Sequence, residues 1–128
     1  MKMESENPIL KFNTIEVKSY DFAIRIVNLH KYLNRQKEIH SLSNQMLRSG
    51  TAIGALIQEA VHAQSKADFL NKMNVSLKEA NETMYWIRLL HSTHYLKDNE
   101  FASIHKDCEE IVKLLASIVK TTKASLNR

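Results

Sequence analysis

Residues that break helices are scarce in this sequence. Among 128 residues there are only one proline and two glycines, whereas average usage is about 5% proline and 7% glycine. A β-sandwich joins many short strands by turns rich in these residues, so their scarcity argues against that architecture and favours long helices. The length suits a single domain.

Cysteine and long apolar runs are also lacking. The single cysteine, Cys108, excludes an internal disulfide framework and a cysteine-rich zinc site. No segment has the roughly 18 apolar residues of a membrane-spanning helix, and residues 1–13 lack the apolar centre of a signal peptide. We therefore expect a cytoplasmic protein with no membrane contact. Gly50 and Gly54 cannot form a glycine-rich phosphate loop, and we expect no cofactor.

Apolar residues at helical spacing predict four helices separated by short polar connections. Three predicted starts offer a side chain that can cap the first turn: Ser19 for helix one, Ser65 for helix three, and Asp98 or Asn99 for helix four. Helix two is predicted to start near Ser41 or Ser43. Short connections make successive helices antiparallel neighbours. The predicted fold is therefore all-α, an antiparallel up-down-up-down four-helix bundle over residues 19–128. Residues 1–18 are predicted as a short N-terminal arm, with residues 12–17 a candidate extended piece.

Several large apolar residues fall on the side of a predicted helix that faces away from the core. With roughly 100° of rotation per residue, the core positions of helices one and three leave six such residues on their outer sides and a seventh, Tyr85, on the flank. They are Tyr20, Ile24 and Val27 on helix one, and Val75, Tyr85, Trp86 and Leu89 on helix three. We predict that they form a self-association surface, because most soluble oligomers are homo-oligomers. The alternatives are cover by the N-terminal arm or ordinary scattered surface residues.

Gly50 and Gly54 stand four residues apart within the second predicted helix. Glycine in a helix costs about 1 kcal/mol relative to alanine. Two of them in one helix therefore predict a close approach to the backbone, either by a neighbouring helix or by a ligand.

Two sets of residues are candidate metal ligands. A carboxylate-bridged di-metal bundle needs a Glu-x-x-His pair on two helices and a glutamate on each of the other two, but Glu59 and His62 form the only pair. His91 and His94, with His105, could bind a metal, or they could cap the end of the core as polar residues. We expect no metal and no enzymatic activity.

The net charge is +4, from 18 basic and 14 acidic residues. Arg25, Lys31, Arg35 and Arg48 are the candidate phosphate-binding residues. Arg48 has a structural alternative, an ion pair with Glu59 or with a neighbouring subunit's carboxylate. Lysines near the C-terminus form a second basic run, no denser than the first. Neither run alone indicates nucleic-acid binding, but repetition of these basic residues in an oligomer would strengthen the positive electrostatic field.

Several segments resemble a known family: residues 19–27 (SYDFAIRIV), 47–55 (LRSGTAIGA), 65–69 (SKADF) and 77–86 (LKEANETMYW). They resemble bacterial four-helix-bundle proteins encoded in intervening sequences of 23S ribosomal RNA genes, a group often labelled ribosomal-protein-like. The resemblance spans residues 15–122. It departs from the family at Leu56, where asparagine is more common.

The resemblance implies a bundle that assembles into a ring of five subunits and has no recognised catalytic residues. The sequence is also similar to the accessory protein of diversity-generating retroelements, a basic pentameric barrel that binds nucleic acid and a reverse transcriptase. We therefore predict a non-enzymatic homo-oligomeric adaptor associated with RNA. The alternatives are a protein-interaction scaffold that uses Tyr85 and Trp86 as anchors and, third, a metal-binding enzyme.

Overall fold

Four helices make up almost all of the computed structural model, which describes residues 7–37 and 39–127. The helices are α1 (Pro8–Lys37), α2 (Ser41–Val61), α3 (Lys66–Ser92) and α4 (Asp98–Leu126). No strand occurs among the described residues. The predicted all-α four-helix bundle is confirmed.

Each helix packs on the next one in sequence, and α1 also packs on α4. Contacts between α1 and α4 pair low residue numbers with high ones, such as Lys11 with Ser117 and Arg25 with Ser103, so these two helices are antiparallel. In the described part of the chain the backbones of the diagonal pairs, α1 with α3 and α2 with α4, do not approach within 8 Å between Cα atoms; α1 and α3 meet through side chains, as where the rings of Phe12 and Phe69 have centroids 5.5 Å apart. The outer sides of α1 and α3 therefore face opposite directions.

The space between the helices is filled mainly by branched apolar side chains. Phe22, Ile26, Ile53 and Ile87 are among those that are almost completely buried. Burial of this kind is the main favourable term in folding. The few buried hydroxyl groups are hydrogen-bonded: Ser76 Oγ donates to the carbonyl oxygen of Ile53 at 2.9 Å. Each buried hydroxyl group therefore has a hydrogen-bond partner inside the core.

The first helix begins eleven residues earlier than the sequence analysis predicted, at Pro8 rather than near Ser19. Asn7 caps it, because its Oδ1 accepts hydrogen bonds from the backbone N–H groups of Ile9 (2.9 Å) and Leu10 (3.3 Å). Residues 8–18, predicted as part of an arm with an extended piece at 12–17, are helical. The reason is that Ile15 is fully buried on the same side as the core residues that follow it.

An Asn7-Pro8 pair is a good helix start, since asparagine is a preferred N-cap and proline a preferred first residue. Residues 1–6 of the predicted arm lie outside the described residues. Replacing Asn7 with alanine should lower the free energy of unfolding by about 1 kcal/mol, because two backbone donors lose their acceptor. Urea unfolding of Asn7→Ala and of the control Asn7→Asp tests this. Equal midpoints for the two variants would show that the cap is not used.

The other helix ends agree more closely with prediction. Ser65 Oγ accepts from the backbone N–H of Asp68 at 3.0 Å, which confirms the predicted cap of α3. The predicted caps of α4, Asp98 and Asn99, are wrong by one and two positions: α4 begins at Asp98, so Lys97 is the N-cap residue. Its backbone N–H donates to Glu100 Oε1 at 2.8 Å, and this reciprocal bond fixes the helix start.

Gly50 and Gly54 lie where α1 crosses α2. A Cβ atom added at Gly50 would lie 2.9 Å from Ile26 Cγ2, and one added at Gly54 would lie 3.4 Å from the carbonyl oxygen of Ser19. The predicted close approach is therefore confirmed, and the neighbour is helix α1.

Candidate assembly and nucleic-acid interfaces

The predicted self-association residues form two separate surfaces. On α1, Val17, Tyr20 and Ile24 are exposed on one side of the helix, with fractional exposures of 62%, 68% and 47%; these three are the α1 face, and Ile9 and Leu10 at the start of the helix are exposed as well. On α3, Tyr85 is 55% exposed and Trp86 is half-buried beside it; these two are the α3 face. Because α1 and α3 are diagonal, the two faces lie on opposite sides of the bundle.

The remaining predicted interface residues are less accessible than the sequence pattern suggested. Val27 on α1 is half-buried, as are Val75 and Leu89 on α3. The reason is that flanking positions of a helix in a bundle are partly covered by its two neighbours, so an angular estimate overstates their exposure. They border the two faces rather than form their centres.

The α3 face is held in place by polar contacts. Trp86 Nε1 donates a hydrogen bond to Glu82 Oε2 at 3.2 Å. The Tyr85 and Trp86 rings meet edge to face, with 5.0 Å between their centroids and 76° between their planes. A fixed pair of aromatic rings loses little side-chain entropy on binding, which is why such residues often dominate interface energetics.

Charges of opposite sign accompany the two faces. Glu16 and Asp21 share a shallow depression of about 470 Å³ with Val17 and Tyr20 of the α1 face. On α3, Lys78 and Arg88 are exposed and stand seven and three residues from Tyr85, on the same side of the helix. Glu82 also contacts the α3 face but is paired with Arg48, so the charges of Lys78 and Arg88 make this face basic and complementary to the acidic α1 face.

Arg48 makes ion pairs within its own chain. Its Nη1 lies 3.3 Å from Glu79 Oε1, and its Nη2 pairs with the Glu82 carboxylate. Desolvation by itself would lower the pKa of Arg48, but the two carboxylates outweigh it and raise that pKa. The suggested partner Glu59 is wrong, because Glu59 Oε1 lies 3.1 Å from Lys72 Nζ instead. A role of Arg48 in binding phosphate stays a prediction, and it would compete with these pairs.

Arg25 is similarly engaged, whereas Lys31 and Arg35 are exposed. Arg25 Nη2 donates to Ser103 Oγ at 2.9 Å, and Nη1 pairs with the Asp107 carboxylate. Within residues 7–37 and 39–127, no ion pair joins Lys31 or Arg35 to a carboxylate. Of the four candidate phosphate-binding residues, these two are thus the ones ready to contact an anion.

A further set of cations follows the junction of α1 and α4; the sequence analysis noted Lys113 and Lys120 in the C-terminal basic run but not their neighbours on α1. We call this set the lysine seam; its members are Lys11, Lys18, Lys106, Lys113 and Lys120. Two of them cross to α4: Lys11 Nζ donates to Ser117 Oγ at 2.8 Å, and Lys18 Nζ lies 3.2 Å from Glu110 Oε2. The signal that could have found the seam is the repeat of these residues every seven positions on each helix.

Two of the three histidines suggested as metal ligands, His91 and His105, are separated by an aromatic ring. Phe101 stacks on His91 with 4.1 Å between centroids and lies 4.9 Å from His105. His91 Nε2 is also 2.8 Å from Asp98 Oδ1. No group of three or more histidine, cysteine, aspartate or glutamate side chains that could hold a metal occurs among the described residues.

Cys108 lies in the core and is completely buried. Its Sγ donates a weak hydrogen bond to the carbonyl oxygen of Ala80 at 3.5 Å. Burial, with a smaller contribution from the charge of Asp107, raises the pKa of the Cys108 thiol to about 12. The thiolate, which is the nucleophilic form, is therefore almost absent near neutral pH.

Similarity to known proteins decides the family. The pattern of the 23S rRNA-intervening sequence proteins matches residues 13–117. The chain belongs to this family. A crystal structure from Bacteroides thetaiotaomicron VPI-5482, described as a protein with unknown function from the S23 ribosomal protein family, has a TM-score of 0.84 and 54% sequence identity. The match covers 86% of this chain and 98% of that one. No curated protein matches the chain.

The resemblance to 23S rRNA-intervening sequence proteins inferred from the sequence is thus confirmed, while the similarity to retroelement accessory proteins stays a prediction. Leu56, where this family more often has asparagine, is half-buried in α2. Within the described part of the chain, no helix has the length and apolar character needed to cross a bilayer.

Proposed function

We propose that this 23S rRNA-intervening sequence protein is a non-enzymatic, homo-oligomeric adaptor that associates with RNA. The observation that carries the proposal is the pair of complementary faces on opposite sides of the bundle: the α1 face beside Asp21, and the α3 face beside Arg88. A face that fits a different face of the next copy makes a head-to-tail contact. Such contacts close into a ring when the rotation between successive copies completes a full turn, and otherwise continue as a filament; a ring of five is the form that the family resemblance implies.

Assembly supports the RNA part of the proposal through charge. Each subunit brings a net charge of +4, and the affinity of a protein for a phosphate backbone grows with the number of phosphates it neutralises. The family's description links it to 23S ribosomal RNA. Association with that RNA would put the activity in the cytoplasm. A non-enzymatic role agrees with the protonated Cys108 and with the ion pair that occupies Glu59.

Assembly is tested with one charge on each face. Tyr20→Glu blocks the α1 face and Tyr85→Glu blocks the α3 face. Head-to-tail contact predicts that each variant alone is monomeric and that an equimolar mixture forms heterodimers only, because each variant keeps one intact face. Asn44→Glu, at an exposed position on α2, is the control and should assemble like the unchanged protein. Light scattering coupled to size-exclusion chromatography gives the masses. If the unchanged protein is monomeric, the proposed homo-oligomeric assembly is refuted.

RNA association is tested by fluorescence anisotropy with salt raised from about 50 to 200 mM, the range over which phosphate contacts weaken strongly. The proposal predicts binding that falls steeply with salt and that weakens in the monomeric variants. Absence of binding at the lowest salt concentration would refute the RNA role. The second candidate, a protein scaffold, would then lead, because the fixed Tyr85 and Trp86 rings are natural anchors for a protein partner.

A further inference from the structure

The lysine seam has a regular geometry. Lys11 and Lys18 are seven residues apart on α1, and Lys106, Lys113 and Lys120 repeat at the same interval on α4. Seven residues are nearly two turns of helix, so each set stays on one side of its helix. Because α1 and α4 are antiparallel and Lys11 and Lys18 both contact α4, the two sets border one junction. The α4 set alone extends over about 21 Å.

A groove runs along this junction and is lined by hydrogen-bonding groups. It is a shallow, open groove of about 740 Å³, and its lining includes Lys11, Lys18, Lys113 and Ser117 together with the Glu110 carboxylate. Ser117 Oγ accepts a hydrogen bond from Lys11 Nζ at 2.8 Å, which leaves its own hydroxyl hydrogen for another acceptor. An anion in the groove would therefore meet the lysine ammonium groups and the hydroxyl donor of Ser117.

The cations of the seam are available to a ligand. Lys106 and Lys120 have no ion pair with a carboxylate anywhere in residues 7–37 and 39–127. Lys113 Nζ lies 3.9 Å from Glu109 Oε1, the limit of such a contact. The closer pair of Lys18 with Glu110 is 44% exposed on both sides, and exposed pairs of this kind are weak enough to be exchanged for a phosphate.

We propose that the lysine seam is the site that holds RNA, as a single strand bound through its phosphate backbone; this rests on the association with RNA proposed above. A line of separate cations fits a polymer with regularly spaced negative charges better than a compact anion, which could reach only one or two of them. Lysine contacts phosphates as a point charge and carries no base readout. The groove lining contains no aromatic residue for bases to stack on. Binding is therefore indifferent to base sequence.

The seam stays accessible in the proposed oligomer. The exposed large apolar residues in the described part of α1 to α3 include both association faces, whereas α4 has only Leu126, at its very end. A helix side that offers charge and no apolar surface is suited to face solvent or a polyanion rather than another subunit. Assembly through the α1 and α3 faces thus aligns one seam per subunit around the oligomer.

Two triple variants of equal charge change test the site. The seam variant is Lys11→Gln/Lys113→Gln/Lys120→Gln. The comparison variant is Lys66→Gln/Lys72→Gln/Lys97→Gln, which removes three cations that belong neither to the seam nor to the candidate phosphate-binding residues. Both are compared with the unchanged protein on single-stranded RNA oligonucleotides of equal length and different sequence. Circular dichroism and light scattering verify that each remains folded and assembled.

Each phosphate contact to a single strand contributes about 0.7 to the slope of log affinity against log salt. We therefore expect the seam variant to lose about 2 from that slope per engaged subunit and about 100-fold in affinity at 0.1 M salt. The comparison variant should stay within a few-fold of the unchanged protein, with all sequences bound alike. Equal losses in both variants, or a larger loss in the comparison variant, would overturn the seam while leaving RNA association intact. Absence of binding by the unchanged protein would overturn RNA association itself.

Discussion

Alanine at Gly50 should make the bundle less stable than alanine at Gly54, by about 1–3 kcal/mol in the free energy of unfolding. Both positions are inside helix α2, so both substitutions gain the same intrinsic helix propensity, about 1 kcal/mol. The difference between the two variants therefore reports only what the new methyl group meets.

The methyl group meets different surroundings at the two sites. At Gly50 it would lie 2.9 and 3.0 Å from two carbons of Ile26, whose side chain is fully buried and has no room to move. At Gly54 the nearest atom is the Ser19 carbonyl oxygen at 3.4 Å, an ordinary contact. We expect Gly54→Ala to stabilise the protein slightly and Gly50→Ala to destabilise it.

Chemical unfolding in urea, followed by circular dichroism at 222 nm, measures both variants under the same conditions. The pair Ile26→Ala and Gly50→Ala/Ile26→Ala is the control: alanine at position 26 removes the γ carbons that the new methyl group would meet, so Gly50→Ala should no longer destabilise the protein in that background. A Gly50→Ala variant as stable as Gly54→Ala would mean that α1 and α2 do not approach as closely as the structure indicates.

The thiol of Cys108 should react about 1000-fold more slowly in the folded protein than in the unfolded chain at pH 8. Burial raises its pKa from an ordinary value of 9.0 to about 12. Thiol–disulfide exchange requires the thiolate, and a pKa three units higher reduces the thiolate population by that factor at this pH. Reaction with an aromatic disulfide reagent, in buffer and in concentrated urea, measures the two rates. Comparable rates would show that Cys108 is accessible.

The same pKa predicts how stability depends on pH. A thiol whose pKa is higher in the folded state than in the unfolded state disfavours folding once it must ionise. The protonated Cys108 thiol makes its full contribution to the free energy of unfolding below pH 9. That contribution is lost as the pH rises from 9 to about 12, which lowers the free energy of unfolding by about 4 kcal/mol in total. Cys108→Ala should lack this loss. Parallel alkaline unfolding curves for the two proteins would rule out the effect.

Periodic apolar residues were enough to predict the four helices and their order, because a bundle repeats one local rule along the chain. The start of α1 was missed because Ile9, Leu10 and Val17 are exposed, so the apolar residues before Ser19 do not form a single stripe. The Asn7-Pro8 pair indicates the start of α1 better, because it is a helix-capping signal and does not depend on the spacing of apolar residues.

The candidate site was predictable only in part, since ion pairs between helices depend on register. Arg25 and Arg48 appear in the sequence as surplus positive charge, but Asp107 and Glu82, which neutralise them, are 82 and 34 residues away along the chain. The division of the apolar surplus into two opposite faces is likewise a property of the helix order around the bundle, which places α1 and α3 on a diagonal.

The arrangement in which each helix packs on its successor has a consequence for how the chain folds. Three of the four helix pairs join sequence neighbours, so they form with little loop-closure entropy. Only the closure of α1 on α4 joins distant segments, as in the Lys11–Ser117 contact 106 residues apart. Once the three local pairs exist, the intervening chain is already ordered and the two outer helices are held near each other. We therefore expect the junction of α1 and α4, which carries the lysine seam, to form after the three local pairs, so that the proposed RNA site is completed only when the bundle closes.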